Sequence, residues 1–139
     1  MPKIAVEDRE IENCFDVLLE LRPKLLRSSF LELIREMELE GYKLVYIEEN
    51  GHVVAVAGYR ITTNLFMGKN LYVDDLVTLE SVRSKGYGNI LVTWLRELAI
   101  KNGCNVLHLD SGTHRHQAHK FYYRNGFTIA SFHFSESVA

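Results

Sequence analysis

Residues 77–89, Val-Thr-Leu-Glu-Ser-Val-Arg-Ser-Lys-Gly-Tyr-Gly-Asn, constrain the fold more than any other part of the chain. Residues 71–78 read as a strand, and behind the two glycines Leu91, Trp94, Leu95 and Leu98 recur at helical spacing. A strand, a basic glycine loop and an amphipathic helix therefore follow one another directly. Gly86 and Gly88 let the backbone come close to a ligand, and the first N–H groups of a helix have no intrahelical acceptor. With the positive end of the helix dipole and Arg83 and Lys85 nearby, the turn suits a phosphate or pyrophosphate. Two familiar phosphate loops are excluded. No Gly-x-x-x-x-Gly-Lys-Ser/Thr occurs, and Gly86-Tyr87-Gly88-Asn89-Ile90-Leu91 lacks the third glycine of a dinucleotide fingerprint. What remains is Arg-x-x-Gly-x-Gly.

The rest of the chain reads as one domain, 1–139, large enough for a single core. Residues 3–6 form a short strand. Ile11, Cys14, Phe15, Leu18 and Leu21 predict an amphipathic helix over 9–21 that Pro23 stops. Ser29 with Glu32 suggests a capping box for a second helix, whose buried stripe is Phe30, Leu33, Ile34 and Met37, ending near Gly41. Residues 42–48 and 52–62 are a hairpin about Asn50-Gly51, a type I′ turn signal, and Gly58 inside it marks a bulge or a close approach. The helix behind the glycine loop ends near Asn102-Gly103. A strand over 106–110, a helix over about 115–124 and a last strand over 127–134 follow. The order β-α-α-β-β-β-α-β-α-β implies an α/β (mixed α+β) fold, with about six strands in a mixed, mostly antiparallel sheet flanked by four helices.

The formal net charge of −2 argues against broad nucleic-acid binding and mildly suits a cationic partner. Cys14 and Cys104 fall on apolar faces and read as core thiols in a reducing compartment. No signal pattern or membrane-length apolar run is present, so a cytoplasmic location is expected and no membrane partner. His108, His114, His116 and His119 lack a recognised zinc spacing, and no metal is expected.

The glycine loop resembles the acetyl-CoA pyrophosphate loop of the GCN5-related N-acetyltransferase (GNAT) superfamily. The resemblance extends to Leu76-Val77-Thr78 ahead of Arg83, and to Ala118 followed by Phe121-Tyr122 and Gly126-Phe127, which is similar to the family's late Ala-x-x-Phe-Tyr-x-x-x-Gly-Phe segment. Together the motifs cover roughly 70–127, and the order of elements is also the family's. The resemblance implies that the strands before and after the loop's helix splay apart and that pantetheine lies along backbone at Leu76, Val77 and Thr78. It implies pyrophosphate on the N–H groups of Ser84, Lys85, Gly86, Tyr87, Gly88 and Asn89, with charge-assisted contacts from Arg83 and Lys85. Many relatives carry an asparagine where this chain has Arg115. That residue either reaches the cofactor or is a helix-start charge.

Transfer of an acetyl group to an amine needs a proton taken from the amine and one given to the departing thiolate. The resemblance places Tyr122 as the acid, its phenol also touching the cofactor, and Asp74 as the base. Asp75 would bind the acceptor's positive charge. Strand alternation sends the two carboxylates to opposite faces unless a bulge intervenes. Tyr72 corresponds to another base position in the family and is not expected to serve as one here. The acidic pair resembles that of polyamine acetyltransferases, so the expected function is acetyl-CoA-dependent N-acetylation of a small primary amine in a ternary complex. No cysteine lies on the cofactor motifs, against a covalent acetyl-enzyme. A protein or peptide amine is the rival acceptor, and a catalytically silent CoA-binding sensor the rival class. A homodimer is implied only by resemblance.

Overall fold

Alternation along the Asn50-Gly51 hairpin decides how the sheet is packed. Leu44 and Tyr46 belong to one buried cluster and Val45 and Ile47 to another, as the two-residue period of a strand dictates. Both faces are therefore covered. In the computed structural model, which describes all 139 residues, the elements run β1 (Lys3–Ile4), α1 (Asp8–Asn13), α2 (Phe15–Leu21), α3 (Arg27–Glu38), β2 (Lys43–Glu49), β3 (His52–Asn64), β4 (Gly68–Thr78), a 3-10 turn (Glu80–Lys85), α4 (Tyr87–Lys101), β5 (Val106–Leu109) and α5 (His116–Arg124). The sheet order is β1-β2-β3-β4-β5, antiparallel except for the parallel β4–β5 pair. On one face Ile11, Cys14, Phe15, Leu18, Phe30 and Ile34 pack against Leu44, Tyr46 and Val56. On the other, Leu91, Leu95 and Ala99 of α4 pack against Val45, Ala57, Leu71 and Val73. The chain divides into two compact units, Met1–Leu109, which holds this sheet and its helices, and Asp110–Ala139, which holds α5.

The mixed, mostly antiparallel α/β architecture is as expected, with three differences in detail. The sheet has five strands, because 127–134 forms no strand. Alternation alone does not make a strand: the backbone groups must enter a ladder, and 127–134 enters none. Five α-helices replace four, because the first is cut at Cys14, whose N–H turns back to Ile11 O at 3.0 Å while its own carbonyl starts α2. The Ser29 capping box does not form. The second long helix begins two residues earlier, at Arg27, so Ser29 lies inside it and its hydroxyl points at Leu26 O. A carboxylate cap appears instead at α1, where Glu10 Oε1 accepts from the N–H groups of Glu7 at 2.9 Å and Val6 at 3.0 Å.

The two sequence signals in the hairpin are both realised. Asn50 and Gly51 have φ of 53° and 80°, the pair of positive values a type I′ turn requires. At Gly58 there is both a bulge and a close approach: the β3–β4 register shifts after it, and a Cβ there would lie 1.9 Å from the Tyr42 hydroxyl.

Candidate functional site

The bulge in β4 is the centre of the site in the first unit. Gly58 pairs with Asp75 and Tyr59 with Val73, so Asp74 is the extra residue. The bulge also marks where β4 and β5 part. β5 accompanies β4 only over 70–73, and from Asp74 to Thr78 the far edge of β4 has no strand beside it. An extended group laid along that edge would find strand-like backbone partners. Before the split, β5 is pinned. The buried Asn70 amide donates to Thr62 O and Gly68 O, so its oxygen accepts from His108 Nε2 at 2.8 Å, and the His108 ring lies against Tyr72.

The bulge removes the strict alternation that would have sent the two carboxylates apart. Asp75 takes Arg22 Nε at 2.9 Å on one oxygen and the Tyr42 hydroxyl at 2.6 Å on the other. Asp74 faces Arg60 Nε at 3.2 and 3.3 Å, and its own carbonyl accepts from Arg22 Nη2 at 3.0 Å. Burial raises the Asp74 carboxyl above its ordinary value; Arg60 opposes this and Asp75 adds to it. Tyr42 is only 1% exposed, and burial with Asp75 beside it holds the phenol well above its ordinary value, so it remains a donor.

Three of these residues were not singled out from sequence: Tyr42, Arg60 and Arg22. A signal existed for the last. A residue before proline is kept out of the helical region, and Arg22, ahead of Pro23, leaves α2 at φ −122° and ψ 78°. That departure carries its side chain across to β4.

The glycine loop follows β4 through the 3-10 turn. Gly86 has φ 81° and no atom within 4 Å of where a Cβ would stand, so the backbone ahead of α4 is open. Arg83 is exposed. Lys85 is not idle: its Nζ lies 3.0 Å from Glu49 Oε1, and the Tyr87 hydroxyl donates to the other oxygen of Glu49. A carboxylate from the end of β2 thus holds two residues of the loop. The open glycine backbone, the strandless edge over 74–78 and the two basic side chains fit a ligand with a pyrophosphate and an extended amide arm.

In the second unit, Arg115 stands at the N-cap position of α5 without a side-chain cap bond, and its guanidinium acts on the Tyr122 phenol. Burial raises the Tyr122 phenol above its ordinary value, with Arg115 opposing. Phe121 and Phe127 stand edge-on to the Tyr122 ring at 5.5 and 5.8 Å, whereas Tyr123 is exposed. His119 Nε2 is 2.8 Å from Gly112 O, and no three acidic, histidine or cysteine side chains gather as a metal site would need. Both cysteines are free, and burial pushes the Cys14 thiol up to about 12, where it is inert. No helix is long and apolar enough to cross a membrane.

The model of the acetyltransferase (GNAT) family matches residues 10–127. The uncharacterized N-acetyltransferase YhdJ of Bacillus subtilis (strain 168) is 34% identical over 138 residues, covering 98% of this chain and 97% of its own. The aminoalkylphosphonate N-acetyltransferase of Salmonella typhimurium is 28% identical over 90 residues, 64% of this chain and 58% of its own. Among solved structures, AAC(6')-Iy in complex with a CoA bisubstrate analog superposes with a TM-score of 0.87 at 13% identity, over 100% of this chain and 97% of that one.

Proposed function

We propose, given that the chain belongs to the acetyltransferase (GNAT) family, that its residues 1–139 act as a single domain moving an acetyl group from acetyl-CoA to the primary amine of a small molecule. The chain is an N-acetyltransferase. The observation that carries the finer reading is the β4 bulge, which sets a carboxylate raised by burial where the strandless edge of β4 begins.

The roles follow from what each group can do. Bound acetyl-CoA supplies a thioester whose acyl carbon is open to an amine. Asp74 takes the proton from the acceptor ammonium, directly or through a water, and its raised pKa brings it nearer the range useful to a base. As the nitrogen lone pair forms the N–C bond and the C–S bond breaks, the Tyr122 hydroxyl gives its proton to the departing sulfur, and the surplus proton of the new amide nitrogen passes through water to the phenolate. Arg115, whose charge favours the ionised phenol, stabilises the phenolate until that proton arrives. Backbone at Leu76, Val77 and Thr78 pairs with pantetheine. The N–H groups from Ser84 to Asn89, with Arg83 and Lys85, hold the pyrophosphate. Asp75 contributes on the acceptor side, through the arginine it holds.

A small acceptor is supported by the Salmonella relative, whose named substrate is a small amine. A cytoplasmic location, in keeping with two free thiols, and a homodimer belong to the same proposal. Calorimetric titration with acetyl-CoA, then a thiol-release screen over polyamines, small amines and peptide N-termini, tests it. Binding with release on a small amine is expected; binding without release on any amine would leave a CoA sensor, and absence of binding would overturn the loop assignment.

A further inference from the structure

The acidic pair at the β4 bulge carries no surplus of negative charge. Asp74 faces Arg60 and Asp75 faces Arg22, so the neighbourhood holds two carboxylates and two guanidinium groups. A polycation gains little from such a place, because a second ammonium would find Asp75 already held by Arg22 and would face that guanidinium instead. The arrangement is matched instead to a molecule carrying both signs.

Arg22 is the group left to meet the second charge. A guanidinium presents its donors along more than one edge. Arg22 spends the Nε–Nη2 edge on β4, donating to Asp75 Oδ1 at 2.9 Å and Asp74 O at 3.0 Å. Its Nη1 donates to no protein atom, and the side chain is 53% exposed while that of its partner Asp75 is 12% exposed. The outward edge, Nη1 with the second hydrogen of Nη2, has the fork geometry that carboxylates, phosphonates and phosphates accept.

The position is also built rather than incidental. Pro23 keeps Arg22 out of α2, Asp75 fixes the guanidinium, and the buried Tyr42 phenol fixes Asp75 at 2.6 Å. Tyr42 reaches Asp75 only because residue 58 has no side chain. Ordinary exposed ion pairs lack such an ordered series of supports.

We propose that the acceptor is an amine bearing an anionic oxygen group on a short spacer, its nitrogen at Asp74 and its anion on the outward edge of Arg22. This rests on the reading of Asp74 as the acceptor end of a transferase, and it makes Arg22 the residue that sets specificity.

The test compares acceptors of one chain length: an aminoalkylphosphonate, the matching amino carboxylate, the plain alkylamine and the diamine. With the full chain and acetyl-CoA, thiol release should give the anionic amines a kcat/KM about tenfold or more above the alkylamine, the scale of a charge-assisted hydrogen bond. The diamine should show no such advantage. Phosphonate ahead of carboxylate would assign a tetrahedral oxyanion, and the reverse order a planar one. In Arg22→Gln the anionic-to-neutral ratio should fall towards one, chiefly through KM, and Arg22→Lys should restore part of it. An unchanged ratio in Arg22→Gln, or a diamine that outruns the anionic amines, would overturn the proposal. Titration of the CoA-bound chain with the same compounds provides a reading independent of turnover. An Arg22-dependent preference there without thiol release would uphold the anion site while sinking the catalytic reading. No preference in either assay would sink the anion site alone if the alkylamine is still acetylated.

Discussion

Two side chains are expected to move the proton, and their environments set opposite demands. A base must be ionised, so activity that depends on Asp74 falls as pH falls through its pKa, which burial places above the ordinary 3.8. The acid limb of the kcat profile should therefore lie higher in pH than for an ordinary aspartate and vanish in Asp74→Asn; an intact limb in an active variant would dismiss the assignment. An acid must be protonated, and burial keeps the Tyr122 phenol neutral well into alkaline pH despite Arg115. Tyr122→Phe should lower kcat by about 10²-fold, the lower end for a general acid, and acetyl-CoA affinity much less. Affinity falling in step with kcat would return Tyr122 to a packing role. Both residues were legible because each stands in a short motif. Arg115 was legible only as a departure from one, since its influence on a phenol seven positions on cannot be read from the order of letters.

At the scale of elements, local chemistry announced itself and long-range partners did not. Asn50-Gly51 specifies its turn through backbone conformation alone, and the amphipathic period of α4 specifies its buried face. Gly58 announced an approach without saying what approaches. The answer, Tyr42, stands just ahead of the preceding strand next to Lys43, and it is the register Leu44↔Gly58 that brings them together. Gly58→Ala should accordingly cost about 1–3 kcal/mol in chemical denaturation, because the buried phenol must give way. A variant as stable as the parent would mean that Tyr42 has somewhere else to go. The glycine loop gives a second element-scale test. Lys85 must leave Glu49 to meet a pyrophosphate, and with side chains 52% and 28% exposed the pair is screened and weak. Glu49→Gln should therefore tighten CoA binding by roughly two- to five-fold in titration. Weaker binding would show Glu49 positioning the loop rather than competing for it.

At the scale of the whole molecule, the one strand that sequence pattern calls for and the fold does not contain is 127–134. Its pattern is sound: Phe127 and Ile129, then Phe132 and Phe134, are spaced for one face of a strand, with a change of phase between them. What a pattern cannot supply is a neighbour. Ile129, Phe132 and Phe134 are 68%, 83% and 92% exposed, a poor state for three large apolar side chains in water. β5 meanwhile is the last strand of its sheet, and an edge strand is a ready template for another chain. A second copy of the chain would satisfy both needs through one two-fold interface, in which each copy covers the other's exposed residues. Light scattering should then give twice the 16.0 kDa chain mass. Phe132→Asp with Phe134→Asp should return it to a single chain, and because both side chains are exposed the doubly substituted chain should keep its fold, read from an unchanged far-ultraviolet spectrum. A parent protein that scatters as one chain would leave those aromatic residues without a partner copy, and the dimer would be discarded.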